Sequence, residues 1–172
     1  MEFSVFKFLH GLAGQSGLLD WLIVFFGKYL GYFLIAGAVL FIWKAKNWKT
    51  AFYRFASLTL ALIVSRGILT EIIRTLVFRQ RPFAALNFEP LINHSAAANA
   101  FPSGHAVFFF ALAIAFFYLD KKLFWYYLGA AFLIGLARVA AGVHWPLDIV
   151  GGAAVGLIGA IVVNWLLRSF KK

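Results

Sequence analysis

From Leu18 to Trp43 the only charged side chains are Asp20 and Lys28, and this apolar run constrains the fold more than any other feature of the chain. A hydrocarbon core about 30 Å thick is crossed by roughly 20 apolar residues in a helix. A helix suits that environment because it satisfies its backbone N–H and C=O groups within the segment. Four further runs follow: Ala51 to Val77, Ala106 to Leu119, Phe124 to Val139 and Leu147 to Leu167. The third is short unless it extends at its ends. Composition agrees with a bilayer as solvent. The 172 residues are 63% hydrophobic and 13% charged, whereas soluble domains are about half apolar and about a quarter charged. A soluble fold of this size has too much surface to hide so many apolar side chains.

The expectation is an all-α, polytopic transmembrane helical bundle of about five spans. Without a linker, low-complexity tract or internal repeat, residues 1–172 read as one membrane-embedded domain. Met1 to Leu12 lacks the basic region and small-residue cleavage site of a signal peptide. Phe3, Val5, Phe6, Phe8 and Leu9 instead predict a short N-terminal helix lying at the interface. With no cysteine, disulfide and thiol chemistry are excluded.

The net charge of +10 lies mostly in short patches between the runs, so it reads as a topology signal and not as a nucleic-acid surface. Lys44, Lys46, Lys49 and Arg54 group around the connection between the first two runs. Lys121 and Lys122 fall between the third and fourth, and Arg168, Lys171 and Lys172 follow the fifth. In a five-span chain these patches share one side, which the positive-inside rule makes cytoplasmic. The N-terminus, the stretch from Phe78 to His105 and the stretch from Ala140 to Pro146 are then expected to face outward, in a multi-pass protein of the cell membrane with a cytoplasmic C-terminus.

Ionisable groups at or inside a span are costly and point to function. Arg74 is followed, after six residues, by Arg81-Pro82; Phe101-Pro102-Ser103-Gly104-His105 opens the third run; Arg138, His144 and Asp148 follow with five and three residues between them. Each cluster has a plainer alternative. Arg74 stands one turn from Glu71, where an intrahelical ion pair would form. Pro102-Ser103-Gly104 is a serine-capped helix start, although its free amides also make an anion site. His105 alone would be a surface histidine, and His144 and Asp148, at i and i+4, would be a solvated pair. Arg79 falls outside the spacing and reads as an interfacial arginine reaching the headgroups. Arg66 and Glu71 read as a structural pair or a tie to another helix. His10 and His94 have no partner at a meaningful spacing and receive no role.

Together the clusters exceed those alternatives, because all of them fall near one membrane face. Arginine grips phosphate bidentately. Two histidines supply a nucleophile and an acid that titrate near neutrality, and a carboxylate beside one of them fixes its tautomer. The sequence offers no cluster of carboxylates or metal-spaced histidines for Mg²⁺ or Zn²⁺, so neither a metal nor a cofactor is expected.

In this order and spacing the clusters resemble the signature of the type 2 phosphatidic acid phosphatase superfamily, which also includes vanadium haloperoxidases: K-x6-R-P, P-S-G-H and S-R-x5-H-x3-D. Arg74 stands where lysine is usual, and Ala137 replaces the serine before Arg138. The opening Phe6-Lys7-Phe8-Leu9-His10-Gly11-Leu12, then Ser16-Gly17-Leu18-Leu19-Asp20, and the compact stretch from Pro82 to Phe101 are similar to the bacterial undecaprenyl-diphosphatase branch.

The resemblance implies a phosphatidic acid phosphatase/haloperoxidase-like core and a metal-independent lipid phosphatase working through a phosphohistidine. It implies His144 as nucleophile, Asp148 as its orienting carboxylate and His105 as the acid that later activates water. Arg74, Arg81, Ser103, Gly104 and Arg138 would hold the phosphoryl oxygens. The expected reaction converts undecaprenyl diphosphate to undecaprenyl phosphate; phosphatidylglycerophosphate and phosphatidic acid are alternatives within the same chemistry. The implied partner is a membrane lipid in the bilayer, with no nucleic acid and no obligate protein partner. An anion transporter would account for the buried charge but not for the spacings. A degenerate, inactive site rests on Ala137 alone, and haloperoxidases are typically soluble and larger.

Overall fold

The computed structural model describes residues 1–168, all of whose regular elements are helices. Helix α1 spans Glu2–His10, α2 Gly17–Trp43 and α3 Trp48–Leu76. The four-residue α4 spans Pro82–Ala85, and it is followed by α5 (Gly104–Leu119), α6 (Lys121–Ala140) and α7 (Pro146–Leu167). Helices α2, α3, α6 and α7 are long and apolar enough to cross a membrane. Large apolar side chains such as Phe33, Phe52, Ile72, Phe132 and Ile161 stand exposed along them, the surface that lipid covers.

Capping chemistry sets where the helices begin. Ser16 Oγ accepts from the Leu19 amide, Asn47 Oδ1 from Thr50, and Asp120 Oδ1 from Lys122 and Leu123, each satisfying first-turn donors that have no intrahelical partner. Pro146 takes the first position of α7, where its missing N–H costs nothing. The helices therefore start a few residues before the apolar runs do. Arg54, grouped in the sequence with the basic connection between the first two spans, lies inside α3. Its Nη1 donates to Phe41 O at 2.6 Å, with the guanidinium over the Phe41 ring. Lys121 and Lys122 likewise form the first turn of α6. Lys171 and Lys172 lie outside the described residues.

Helix α5 has 16 residues, which at 1.5 Å per residue is shorter than the hydrocarbon core. It lies at the centre of the bundle, with α7 and α6 along it and α3 closing a further side. Ala106, Val107, Ala111, Leu112, Ala113 and Phe116 are all at most 2% exposed. A helix apolar on every face belongs inside protein. Because protein surrounds most of it, its length need not match the bilayer.

Close approach of α7 to α5 depends on glycine. A Cβ at Gly156 would stand 2.6 Å from Val107 O, and one at Gly152 would stand 2.8 Å from Ser103 O. Small residues at such a crossing let the backbones touch, the usual basis of helix association in lipid. The alternating direction of the helices then brings the C-terminal ends of α3 and α6 beside the N-terminal ends of α5 and α7. Backbone hydrogen bonds tie that end together: Ser103 N donates to Asp148 O at 3.0 Å, Ala100 N to Arg79 O at 2.8 Å and Phe83 N to Gly142 O at 3.3 Å.

Candidate active site

At this end of the bundle Arg74, Arg81, Gly104, His105, Arg138 and His144 line one cavity of about 550 Å³. They come from α3, the loop before α4, α5, α6 and the turn before α7, so the three sequence clusters meet although more than sixty positions separate the first from the last. Ser103 and Asp148 are fully buried behind this lining and are not part of it.

Arg81 is held by backbone carbonyls. Nε donates to Ala98 O at 3.1 Å, Nη2 to Asn99 O at 3.2 Å and Nη1 to Val143 O at 2.8 Å. Nη1 also lies 3.3 Å from His144 Nε2. A guanidinium can only donate, so Nε2 is the accepting nitrogen, and the neutral ring carries its proton on Nδ1. That nitrogen lies 3.4 Å from Asp148 Oδ2, on the far side of the ring from Arg81. The unprotonated Nε2 is thereby directed at the cluster of arginines. Burial first, and then the charges of Arg138 and Arg81, hold the His144 ring well below the ordinary histidine pKa.

Several buried polar atoms here have no hydrogen-bond partner within the protein: Arg138 Nε and Nη2, Arg74 Nε, Ser103 Oγ and His144 Nδ1. Arg138 is only 2% exposed, and the contact of its Nη1 with Gly27 O is long at 3.4 Å. Leaving buried donors unpaired costs about 1–3 kcal/mol each, more when charged. Arg74 and Arg138 both line the cavity, and their unpaired buried donors mark it as a receptor for an oxyanion. Among the described residues, no three His, Asp or Glu side chains are placed to hold a metal ion.

Two residues depart from their sequence assignments. Arg79, read as an interfacial arginine reaching the headgroups, instead turns inward. Nη1 lies 2.9 Å from Asp148 Oδ1 and Nη2 lies 2.7 Å from Glu2 Oε2, beside the Trp145 ring. Although burial opposes its charge, Glu2 and Asp148 raise its pKa further. A buried carboxylate requires a cation, and Arg79 is close enough in the fold to supply it. His94, given no role, lines the cavity with its Nδ1 buried and unpartnered. Burial, then Arg81 and Arg138, lower its pKa to about 4. Neither position shows itself by spacing, because each acts through a partner brought near only by the fold.

His10 is also placed: its ring stacks on Phe6, and Nδ1 lies 2.8 Å from Ala140 O. This seats α1 over the turn that carries His144, and Glu2 Oε1 accepts from the Leu147 amide at 3.0 Å. Glu71 Oε1 meets Arg66 at 2.7 Å and Arg74 at 3.3 Å. The pairing expected for Arg66 is therefore present, and both arginines also line the cavity.

Residues 52–172 match the PAP2 superfamily. The chain is 33% identical to "Bacitracin transport permease protein BcrC" of Bacillus licheniformis over 166 residues, covering 96% of this chain and 80% of that protein. It is 30% identical to "Undecaprenyl-diphosphatase BcrC" of Bacillus subtilis (strain 168) over 173 residues, covering 99% and 84%. Among solved structures, Aquifex aeolicus LpxE superposes with a TM-score of 0.73 at 26% identity, covering 95% of this chain and 94% of that one. A PAP2-type phosphatidylglycerolphosphate phosphatase from Bacillus subtilis shares the fold, with a TM-score of 0.70 at 20% identity over 99% and 88%. With its arginines and histidines gathered at one end of a transmembrane bundle, the chain belongs to the PAP2 superfamily and is a membrane lipid phosphatase.

Proposed function

We propose that the protein hydrolyses the terminal phosphate of a polyprenyl diphosphate, undecaprenyl diphosphate being the expected substrate, at the outer face of the membrane. One observation carries the chemistry: His144 Nε2 lies 3.3 Å from the donor Arg81 Nη1, which makes it the accepting nitrogen, beside the cavity in which Arg138 and Arg74 keep buried donors unpaired. Nε2 attacks the terminal phosphorus and forms an N–P bond as the bond from phosphorus to the bridging oxygen breaks. His105 gives its proton to that oxygen, and the negative charge of the bound substrate favours the protonated form of its ring. Water then attacks the phosphohistidine, losing a proton to His105, and inorganic phosphate leaves. Arg74, Arg81 and Arg138, with the Gly104 amide, bear the charge of the transition state. Ser103 Oγ, which has no hydrogen-bond partner within the protein, donates to a phosphoryl oxygen, and Asp148 steadies the His144 imidazolium.

An apolar groove of about 620 Å³ supports a lipid substrate. It runs between α2 and α3, and it shares Ile35 and Phe108 with the catalytic cavity. A long tail can lie there at bilayer depth while the phosphates reach His144. The outward orientation rests on Lys44, Lys46 and Lys49 at the opposite end of the bundle.

The deciding experiment offers purified protein in detergent a panel of undecaprenyl diphosphate, phosphatidylglycerophosphate and phosphatidic acid and measures phosphate release. The diphosphate should turn over fastest, and His144→Ala should abolish release while the protein still inserts into membranes. Turnover near the original rate in that variant ends the mechanism. A preference for either glycerolipid moves the substrate assignment.

A further inference from the structure

The catalytic cavity holds more positive charge than one phosphoryl group requires. Beyond Arg74, Arg81 and Arg138 it is lined by Arg66 from α3 and by Lys28 from α2. Neither belongs to the spaced motifs. Lys28 is exposed and is within 4 Å of no carboxylate among the described residues. Arg66 lies against the start of α5: a Cβ at Gly104 would stand 2.8 Å from Arg66 Nε. Its guanidinium therefore occupies the space that a side chain would take, directly beside the amide expected to bind phosphate.

Position along the cavity matters as much as charge. Glu71 joins Arg66 and Arg74 through one carboxylate oxygen, at 2.7 and 3.3 Å, and so sets the two guanidinium groups side by side. Two phosphoryl groups linked by a single bridging oxygen need adjacent sets of cations. Ile35 and Phe108, where the cavity meets the apolar groove, lie in sequence two turns after Lys28 on α2 and one turn after Gly104 on α5. The order from reacting atom to tail is thus His144 with Arg81, Arg138 and the Gly104 amide, then Arg66 and Lys28, then apolar surface.

We propose that Arg66 and Lys28 form a second phosphate subsite, which holds the tail-side phosphate of a lipid diphosphate and makes the protein prefer diphosphates to monophosphates of the same tail. This rests on the lipid-diphosphate reading above. The subsite takes no part in bond making. It holds the phosphate that departs with the lipid and opposes the charge that gathers there as the bridging oxygen leaves.

The test measures kcat/KM for farnesyl diphosphate and farnesyl monophosphate in the same detergent, with the original protein, Arg66→Gln, Arg66→Lys and Lys28→Gln. A charge-assisted contact supports a loss of about tenfold to a hundredfold. The ratio of diphosphate to monophosphate kcat/KM should fall by about that factor in Arg66→Gln, less in Arg66→Lys, and several-fold in Lys28→Gln. Equal loss on both substrates, or no change on either, overturns the subsite. Should Arg66→Gln fail to fold, Arg66→Lys and Lys28→Gln decide by the same ratio. Failure of the original protein to cleave the diphosphate overturns the substrate reading instead, and that result is distinct from an unchanged ratio.

Discussion

Arg79 Nη1 lies 2.9 Å from Asp148 Oδ1, while Asp148 Oδ2 accepts from the Trp145 amide at 2.8 Å and stands 3.4 Å from His144 Nδ1. The carboxylate is thus shared between a guanidinium, a backbone amide and the imidazole. Arg79 draws part of the negative charge away from His144, whose ring is held neutral first by burial and then by Arg138 and Arg81. Glu2 holds Arg79 from its other side at 2.7 Å, so the N-terminal helix takes part in the same arrangement.

Replacing Arg79 with glutamine should free Asp148 to stabilise the imidazolium. The acid limb of kcat/KM should then move up by about one pH unit, with a smaller move for Glu2→Gln. Stability should fall by about 1–3 kcal/mol, less than for a fully buried pair because Arg79 is partly exposed. A pH profile and a thermal scan in detergent check both. An unmoved limb would show that Arg79 only seats the loop.

Arg138 should not tolerate lysine. Its free Nε and Nη2 sit at fixed positions on a planar fork, whereas an ammonium presents a single point of charge. Removing one preorganised donor from such a site costs about 10²–10³ in kcat. Arg138→Lys should lose on that order, with kcat reduced far more than KM changes. A rate within a few-fold of the original would mean that charge alone is used.

Much of this was readable from the chain. The apolar runs gave the spans because lipid admits few alternatives to helices, and the three clusters gave the cavity residues because their spacing follows helix ends. Other features were not readable. The inward turn of Arg79 depends on Glu2 and Asp148, which lie 77 and 69 positions away. His94 sits in a loop without periodicity, and only tertiary packing brings it to the cavity. Arg54 groups with the basic connection in the sequence because a basic residue in the first turns of a helix resembles one in a loop until the Asn47 cap fixes the helix start.

The His144 ring, held below the ordinary histidine value by burial and then by Arg138 and Arg81, should stay neutral as pH falls through about 6.5, where the unfolded chain takes up its proton. The folded state then binds fewer protons than the unfolded one. Stability from this group is complete above that pH and declines below it, by up to about 1.4 kcal/mol per unit. Histidine-ring NMR of labelled protein, with His144→Gln to assign the signal, should show no titration of this ring near pH 6.5. A midpoint at or above that value would contradict the resting state described here.

Gly156 faces Val107 O so closely that even one methyl group must displace backbone. Gly156→Ala should force α7 away from α5 and cost about 1–3 kcal/mol, as overpacking does elsewhere. The displacement should also reach the site, because Ser103 N donates to Asp148 O across the same pair of helices at 3.0 Å. Moving α7 carries Asp148 and the turn with His144 away from Gly104 and His105. Gly156→Ala should therefore lose turnover as well as thermal stability, whereas alanine at Gly67, where a Cβ meets nothing within 4 Å, should lose neither. Equal behaviour of the two variants would show that the α5–α7 crossing has slack enough to absorb a methyl group, and that the site does not depend on its tightness.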